Sequence, residues 1–277
     1  MISPIRDGSV RLISCSRALT KSGLSDVDYA LNPYYGCAHG CLYCYAPDVL
    51  RCERGIDWGN WVEARVNISR RLKKEIEEVG NSVIGLSTVT DPYQPAEKQL
   101  ELTRACLEVI SESDASLMVM TKSPLILRDI DILGQIKNVE ICVSVTALDE
   151  HISLLFEGKL PGPKARLSVL ERFSRAGFRT DAMVSPLLIS DEKTNDQLEQ
   201  LVEAIADTGC RSITFDRLRL RETARLRLKR HFADKENASE AQAIISASER
   251  ISIETALASL VSSKRFPEMT FHSFSKN

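Results

Sequence analysis

What most constrains the fold of this chain is a rhythm between residues 68 and 215, where short apolar runs of strand type alternate with stretches of helical apolar spacing. Ile68, Leu72, Ile76 and Val79 fall on one helix face and stop before Gly80-Asn81, a helix-ending signal. Residues 82–89 then read as a buried strand. A helix opening near Pro95 and reaching about Ser111 places Leu102, Cys106 and Val109 together. Residues 117–121 form the next strand, and Ser123-Pro124 is a cap and first-turn pair for a helix with Ile126, Ile130 and Leu133 inward. Residues 139–145 are a further strand. A helix from about Pro163 to Ala176, stopped by Gly177, turns Val169, Phe173 and Ala176 to the core. Residues 180–185, a helix marked by Leu198, Leu201, Val202 and Ile205 and ended by Gly209, and residues 212–215 complete the series. Upstream, residues 27–31 read as a short strand and 61–66 as an extended piece.

A strand and a helix about every 30 residues is the length of a βα unit and implies a parallel sheet. The expected fold is α/β, a partial (β/α)6 TIM-like barrel, with an open doubly wound sheet as the alternative. The expected organisation is an irregular lead-in over 1–26, a core over 27–216, and a basic, helical C-terminal extension over 217–277. In parallel α/β folds reactive groups collect at the C-terminal ends of strands. Thr90-Asp91, Thr121-Lys122, Thr146 and Ser185 fall there, as does a cysteine-rich loop after residue 31.

That loop reads Asn32-Pro33-Tyr34-Tyr35-Gly36-Cys37-Ala38-His39-Gly40-Cys41-Leu42-Tyr43-Cys44-Tyr45. Cys37, Cys41 and Cys44 have C-x3-C-x2-C spacing, with Gly36 and Gly40 suited to tight turns. Three close thiolates can hold an iron–sulfur cluster and leave one metal corner without a protein ligand. The competing reading is a structural zinc site completed by His39 or Cys52. Structural zinc usually takes a second ligand pair at some distance, which is missing here, and His39 is awkwardly placed inside the loop. The other five cysteines, Cys15, Cys52, Cys106, Cys142 and Cys210, are scattered singly. They form neither a disulfide framework nor a second cluster motif. Cys106 and Cys142 read as small buried hydrophobes, and Cys15 and Cys52 lie in loops.

The cysteine motif resembles the signature of the radical S-adenosylmethionine (radical SAM) superfamily. The Asn32–Cys37 stretch, Ser87-Thr88-Val89-Thr90-Asp91-Pro92-Tyr93-Gln94-Pro95-Ala96-Glu97, Thr121-Lys122-Ser123-Pro124 and Ser144-Val145-Thr146 resemble the branch related to spore photoproduct lyase. The resemblance implies that Cys37, Cys41 and Cys44 hold a [4Fe–4S] cluster whose fourth iron binds S-adenosylmethionine. Reductive cleavage of that cofactor gives a radical that takes a hydrogen atom from a substrate. It also implies an electron donor such as a flavodoxin or ferredoxin. By the same resemblance, Tyr43 sits by the adenine, Thr90 and Asp91 by the methionine amino group, and Ser144, Thr146 and Ser185 at further cofactor contacts. Arg166 is a candidate for the methionine carboxylate, its other reading being a solvated first-turn arginine. Spore photoproduct lyases carry a hydrogen-donating cysteine near the end of the second strand, and residues 87–91 contain none.

A net charge of −2 gives no global reason for a nucleic-acid or membrane-surface partner. No stretch has the apolar length of a signal peptide or a membrane span, so a cytoplasmic protein is expected. One local exception is the run Arg217, Arg219, Arg221, Arg225, Arg227, Lys229 and Arg230. The alternation in Arg217-Leu218-Arg219-Leu220-Arg221 extends the last strand, and Ala224, Leu228 and Phe232 then fall at helical spacing. The run reads first as a solvated face. As a nucleic-acid or protein-binding face it would support a second reading of the chain, a metal-binding adaptor. Ile244, Ile245, Ile251, Ile253, Leu257 and Leu260 are available to pack one or two further helices.

Overall fold

The computed structural model describes residues 9–158, 160–190, 194–258 and 268–271. Among them are eleven strands: β1 (Ser9–Ile13), β2 (Leu19–Lys21), β3 (Tyr29–Leu31), β4 (Tyr34–Tyr35), β5 (Trp61–Arg65), β6 (Val83–Leu86), β7 (Ser116–Thr121), β8 (Val139–Ser144), β9 (Arg179–Leu187), β10 (Ser212–Arg217) and β11 (Glu268–Phe271). The chain divides into two compact units. The first holds the residues up to Gly40 and Leu50–Cys142; the second holds Cys41–Val49 and the residues from Val143 on. The division therefore falls inside the cysteine loop and inside β8.

In the first unit the strand order is β2-β3-β6-β7, and a smaller sheet has the order β1-β5-β4. β3, β6 and β7 are parallel, with Leu31 opposite Leu86 and Leu86 opposite Val119; β2 runs antiparallel to β3. Leu31, Ile84, Leu86 and Val119 are wholly buried, with Leu72, Leu107 and Ile110 from the helices Ile68–Glu75 and Leu102–Ser111. In the second unit the order is β8-β9-β10-β11. β9, β10 and β11 are parallel, Ser212 lying opposite both Asp181 and Glu268. The helices Pro163–Arg175 and Thr194–Ala206 supply Val169, Phe173, Leu198 and Val202 to its core. β2 and β11 are end strands with one neighbour each. The fold is α/β with a mostly parallel sheet.

The expected strands are present as β3, β6, β7, β8, β9 and β10. The lead-in is not irregular where it is described, because β1 pairs with β5 and β2 with β3. β1 finds its partner some fifty residues along the chain, and local pattern does not report so distant a pairing. The helix expected up to Ser111 is two helices, Glu97–Leu100 and Leu102–Ser111, broken at Glu101 with a left-handed φ of 48°. The buried carboxylate of Glu97 accepts the N–H groups of Thr103 at 2.9 Å and Arg104 at 3.3 Å, so a residue of the first helix caps the second. Ser123 does cap, its Oγ accepting Leu125 N–H at 3.3 Å, but the next turns are 3₁₀ before a short helix at Ile130–Leu133. Ala176 is exposed at its helix end. β10 stops at Arg217, so residues 218–221 do not extend it. The helix Glu150–Glu157 has no counterpart in the sequence reading. Of the expected C-terminal helices, Ala238–Arg250 and Ile253–Ala256 are present; Leu260 lies outside the described residues.

Candidate active site

In the first unit the chain after β6 folds back under the start of the cysteine loop. Gly36 takes φ +82° with its Cα against Trp61: an added Cβ would lie 2.6 Å from the Trp61 carbonyl oxygen, so only glycine fits. Gln94, wholly buried, grips the backbone on both sides of Cys37. Its Oε1 accepts Ala38 N–H at 2.9 Å and its Nε2 donates to the Gly36 carbonyl at 3.2 Å. Asp91 holds His39 in the same way. One of its oxygens accepts Tyr93 N–H and the Thr121 hydroxyl, both at 2.8 Å. The other accepts Lys122 N–H at 2.8 Å and faces His39 Nδ1 at 3.3 Å. Burial works against the ionised carboxyl, but the attraction of His39 and these hydrogen bonds outweigh it and hold Asp91 below the usual carboxylate range.

Two neighbouring hydroxyls stand differently. Thr90 Oγ1 and Ser87 Oγ are buried without a hydrogen-bonding partner among the described residues. Ser87 also adopts φ +61°, a left-handed conformation that costs a non-glycine residue about 1 kcal/mol. A strained residue and two unsatisfied buried hydroxyls at a strand end are what a site for a polar ligand leaves behind.

In the second unit a carboxylate that sequence reasoning missed is the hub. Glu157, 2 % exposed at the end of the helix Glu150–Glu157, accepts from four side chains. Its Oε1 takes the Tyr43 hydroxyl and, at 3.2 Å, the Thr146 hydroxyl; its Oε2 takes Ser153 Oγ at 3.0 Å and the Arg166 guanidinium. Arg166 is 1 % exposed, so it is not a solvated first-turn residue. It further donates to the carbonyls of Pro161 at 2.8 Å and Ser144 at 3.4 Å. Burial opposes its charge, and Glu157 more than restores it. Burial, and then Glu157, raise the Tyr43 phenol well above its ordinary value, which keeps it a neutral donor. Four residues singled out from the sequence, Tyr43, Ser144, Thr146 and Arg166, therefore meet in one network. Ser185 is half-buried in β9, ahead of a cis bond to Pro186. The only sequence signal for Glu157 was an acid next to the apolar run Leu154-Leu155-Phe156, at a helix end where the dipole disfavours it.

None of the eight cysteines is in a disulfide. Cys37 and Cys41 are buried and Cys44 half-buried, with turns closed by Gly40 N–H to the Cys37 carbonyl and Cys44 N–H to the Cys41 carbonyl, each at 3.2 Å. Cys106 is wholly buried and its thiol is pushed up by burial; burial also raises Cys210, to about 11. Cys15 is tied to Asn67, its N–H and carbonyl bonded to the amide at 2.8 and 2.9 Å. Burial, and then the neighbouring Cys52, raise the Tyr35 phenol above its ordinary value. Among the described residues no three His, Cys, Asp or Glu side chains converge on one ion. A cluster makes a different demand, one thiolate for each of three irons, and three thiols outside any disulfide at this spacing are the donor set it takes.

A family model described as the radical SAM superfamily matches residues 31–205. The chain belongs to this superfamily: it is an enzyme that works with S-adenosylmethionine and an iron–sulfur cluster. Among curated relatives it is similar to an uncharacterized protein of Mycobacterium tuberculosis, at 29 % identity over 77 % of this chain and 67 % of the relative. An uncharacterized protein of Methanocaldococcus jannaschii is also 29 % identical, over 64 % of this chain and 66 % of the relative. Among solved structures, spore photoproduct lyase complexed with dinucleoside spore photoproduct matches with a TM-score of 0.68 at 16 % identity, over 96 % of this chain and 82 % of that one. Streptococcus suis SuiB bound to S-adenosylmethionine matches at 0.53 and 12 %, over 88 % of this chain and 47 % of that one. These likenesses are of fold. No helix among the described residues is long and apolar enough to cross a membrane.

Proposed function

We propose that Cys37, Cys41 and Cys44 hold three irons of a [4Fe–4S] cluster, and that the enzyme abstracts a hydrogen atom from its substrate. The observation that carries this is the loop itself: three thiols outside any disulfide at C-x3-C-x2-C spacing, inside the segment matched by the family model. When bound, the cluster and S-adenosylmethionine supply the chemistry, a one-electron cleavage of the sulfonium that yields a 5′-deoxyadenosyl radical. The protein's own groups hold and shield. Gln94 fixes the backbone about Cys37, and Asp91 fixes His39. Thr90 and Ser87 offer their unsatisfied hydroxyls to the cofactor's methionine end, while Asp91, already engaged by four protein donors, shapes that strand end. Tyr43 is held by Glu157 in a buried place suited to an adenine face, and the Glu157–Arg166 pair positions Thr146 and Ser144 beside it. Ser185 completes the set of cofactor contacts.

This reading treats residues 27–216 as the functional core, its six central strands forming a partial (β/α)6 barrel, and residues 217–277 as an extension of it. It calls for a one-electron donor of the flavodoxin or ferredoxin class and places the enzyme in the cytoplasm. Thymine-lesion repair is not part of it, since residues 87–91 lack the hydrogen-donating cysteine. Anaerobic reconstitution with iron and sulfide tests it. The expected product is a brown protein that, once reduced, converts S-adenosylmethionine to 5′-deoxyadenosine and methionine, with Cys41→Ala losing both colour and cleavage. A colourless, zinc-loaded protein, or cleavage that survives Cys41→Ala, would overturn it.

A further inference from the structure

The basic run after β10 is not a uniform solvated face. Arg217, Arg221, Arg225, Lys229 and Arg230 are exposed, and Arg219 is half-buried beside Asp216 at 3.1 Å. Arg227 alone among the seven is buried, at 5 % exposure. It lies on the inner side of the helix Glu222–Phe232, between Ala224 and Leu228, and its Nη1 donates to the carbonyl of Cys41 at 2.9 Å. That helix is seated on the cysteine loop at further points. Asp48 Oδ1 accepts Thr223 N–H at 3.1 Å and its hydroxyl at 2.9 Å. Leu228 and Phe232 share an apolar cluster with Cys41 and Tyr43, against which Leu42 and Cys44 pack.

A buried guanidinium is costly wherever an apolar side chain would pack as well. Here it shares the buried side of its helix with Ala224, Leu228 and Phe232 and reaches a cysteine's own backbone. We infer that Arg227 is a positioning residue of the cluster: it fixes the Cys41 backbone and holds a permanent positive charge beside that ligand, raising the cluster's reduction potential. The inference rests on Cys41 being a cluster ligand. Its sign follows from Coulomb's law. The reduced cluster carries one more negative charge than the oxidised one, so a nearby cation favours reduction, and net charge is among the determinants of cluster potential. Arginine keeps its charge at every accessible pH. Whatever else Arg227 touches, replacing it by a neutral residue makes the local potential more negative and the entry of the electron harder.

The test compares wild type, Arg227→Gln and Arg227→Lys, each reconstituted anaerobically and analysed for iron and sulfide. The midpoint is read by EPR during a dithionite titration without S-adenosylmethionine, and it reports whatever fraction carries the cluster. At a fixed potential the Gln protein is expected to show a reduced-to-oxidised ratio about tenfold lower, ~59 mV for a one-electron couple. The Lys protein, which keeps the charge, should stay within about twofold of wild type. A Gln protein that fails to load while the Lys protein loads normally would also support the charge role. An unshifted Gln midpoint, a Lys midpoint lowered as far as that of Gln, or failure of both variants to load would overturn it. A wild-type protein that takes up no cluster would instead overturn the reading of the cysteine loop.

Discussion

Asp91 collects two backbone N–H groups, a hydroxyl and an imidazole on its two oxygens, so its chemistry is set by what already surrounds it. The family resemblance sets it by the methionine amino group, and the fold also gives it donors of its own. In Asp91→Asn the amide would turn an N–H group toward one of these donors and lose the charge facing His39. The expected cost is about 2 kcal/mol of stability, seen as a lower urea midpoint at unchanged slope. A variant as stable as wild type would remove Asp91 as an anchor. Gln94 is the companion case. It lies in a stretch quoted from the sequence for its family resemblance, yet its hold on Gly36 and Ala38 appears only when residues 56 and 58 positions apart are brought together.

At the scale of elements, Glu97 joins three of them. Its carboxylate caps the helix Leu102–Ser111, accepts the Tyr34 hydroxyl of β4 at 2.6 Å and pairs with Arg128 at 2.7 Å. Arg128 also bonds the wholly buried Asp129, which Arg104 reaches at 2.8 Å. Glu97→Ala removes the cap and leaves the buried Tyr34 phenol without its acceptor, while Arg128 keeps Asp129. We expect a loss of about 2–3 kcal/mol, measured by chemical denaturation, and a loss under about 1 kcal/mol would mean that the network is dispensable. The break at Glu101 that this cap requires was invisible to helical periodicity, because Leu102, Cys106 and Val109 keep their spacing on either reading.

At the scale of the molecule, the C-terminal helices complete the second unit. Ala241, Ile244 and Ile245 of the helix Ala238–Arg250 join the same apolar cluster as Cys41, Tyr43 and Phe156. A chain ending at Asp216 would uncover that cluster and lose Arg227 and Thr223 from the cysteine loop. It is expected to take up little iron on reconstitution and to bind a hydrophobic dye strongly. Full iron content with no added dye binding would show that the extension is dispensable to the loop.

The sequence by itself determined the strand–helix alternation, the parallel strands of the core, and the three thiols that place the chain among radical SAM enzymes, because periodicity, glycine stops and cysteine spacing are local signals. Only the tertiary structure decided what surrounds those thiols. Glu157, Gln94 and Arg227 read as an ordinary acid, amide and base along the chain. Each acquires its role through a contact more than fifty residues away. A charge or amide gains directed chemistry when it is taken out of water and given fixed partners, and the fold alone supplies both conditions.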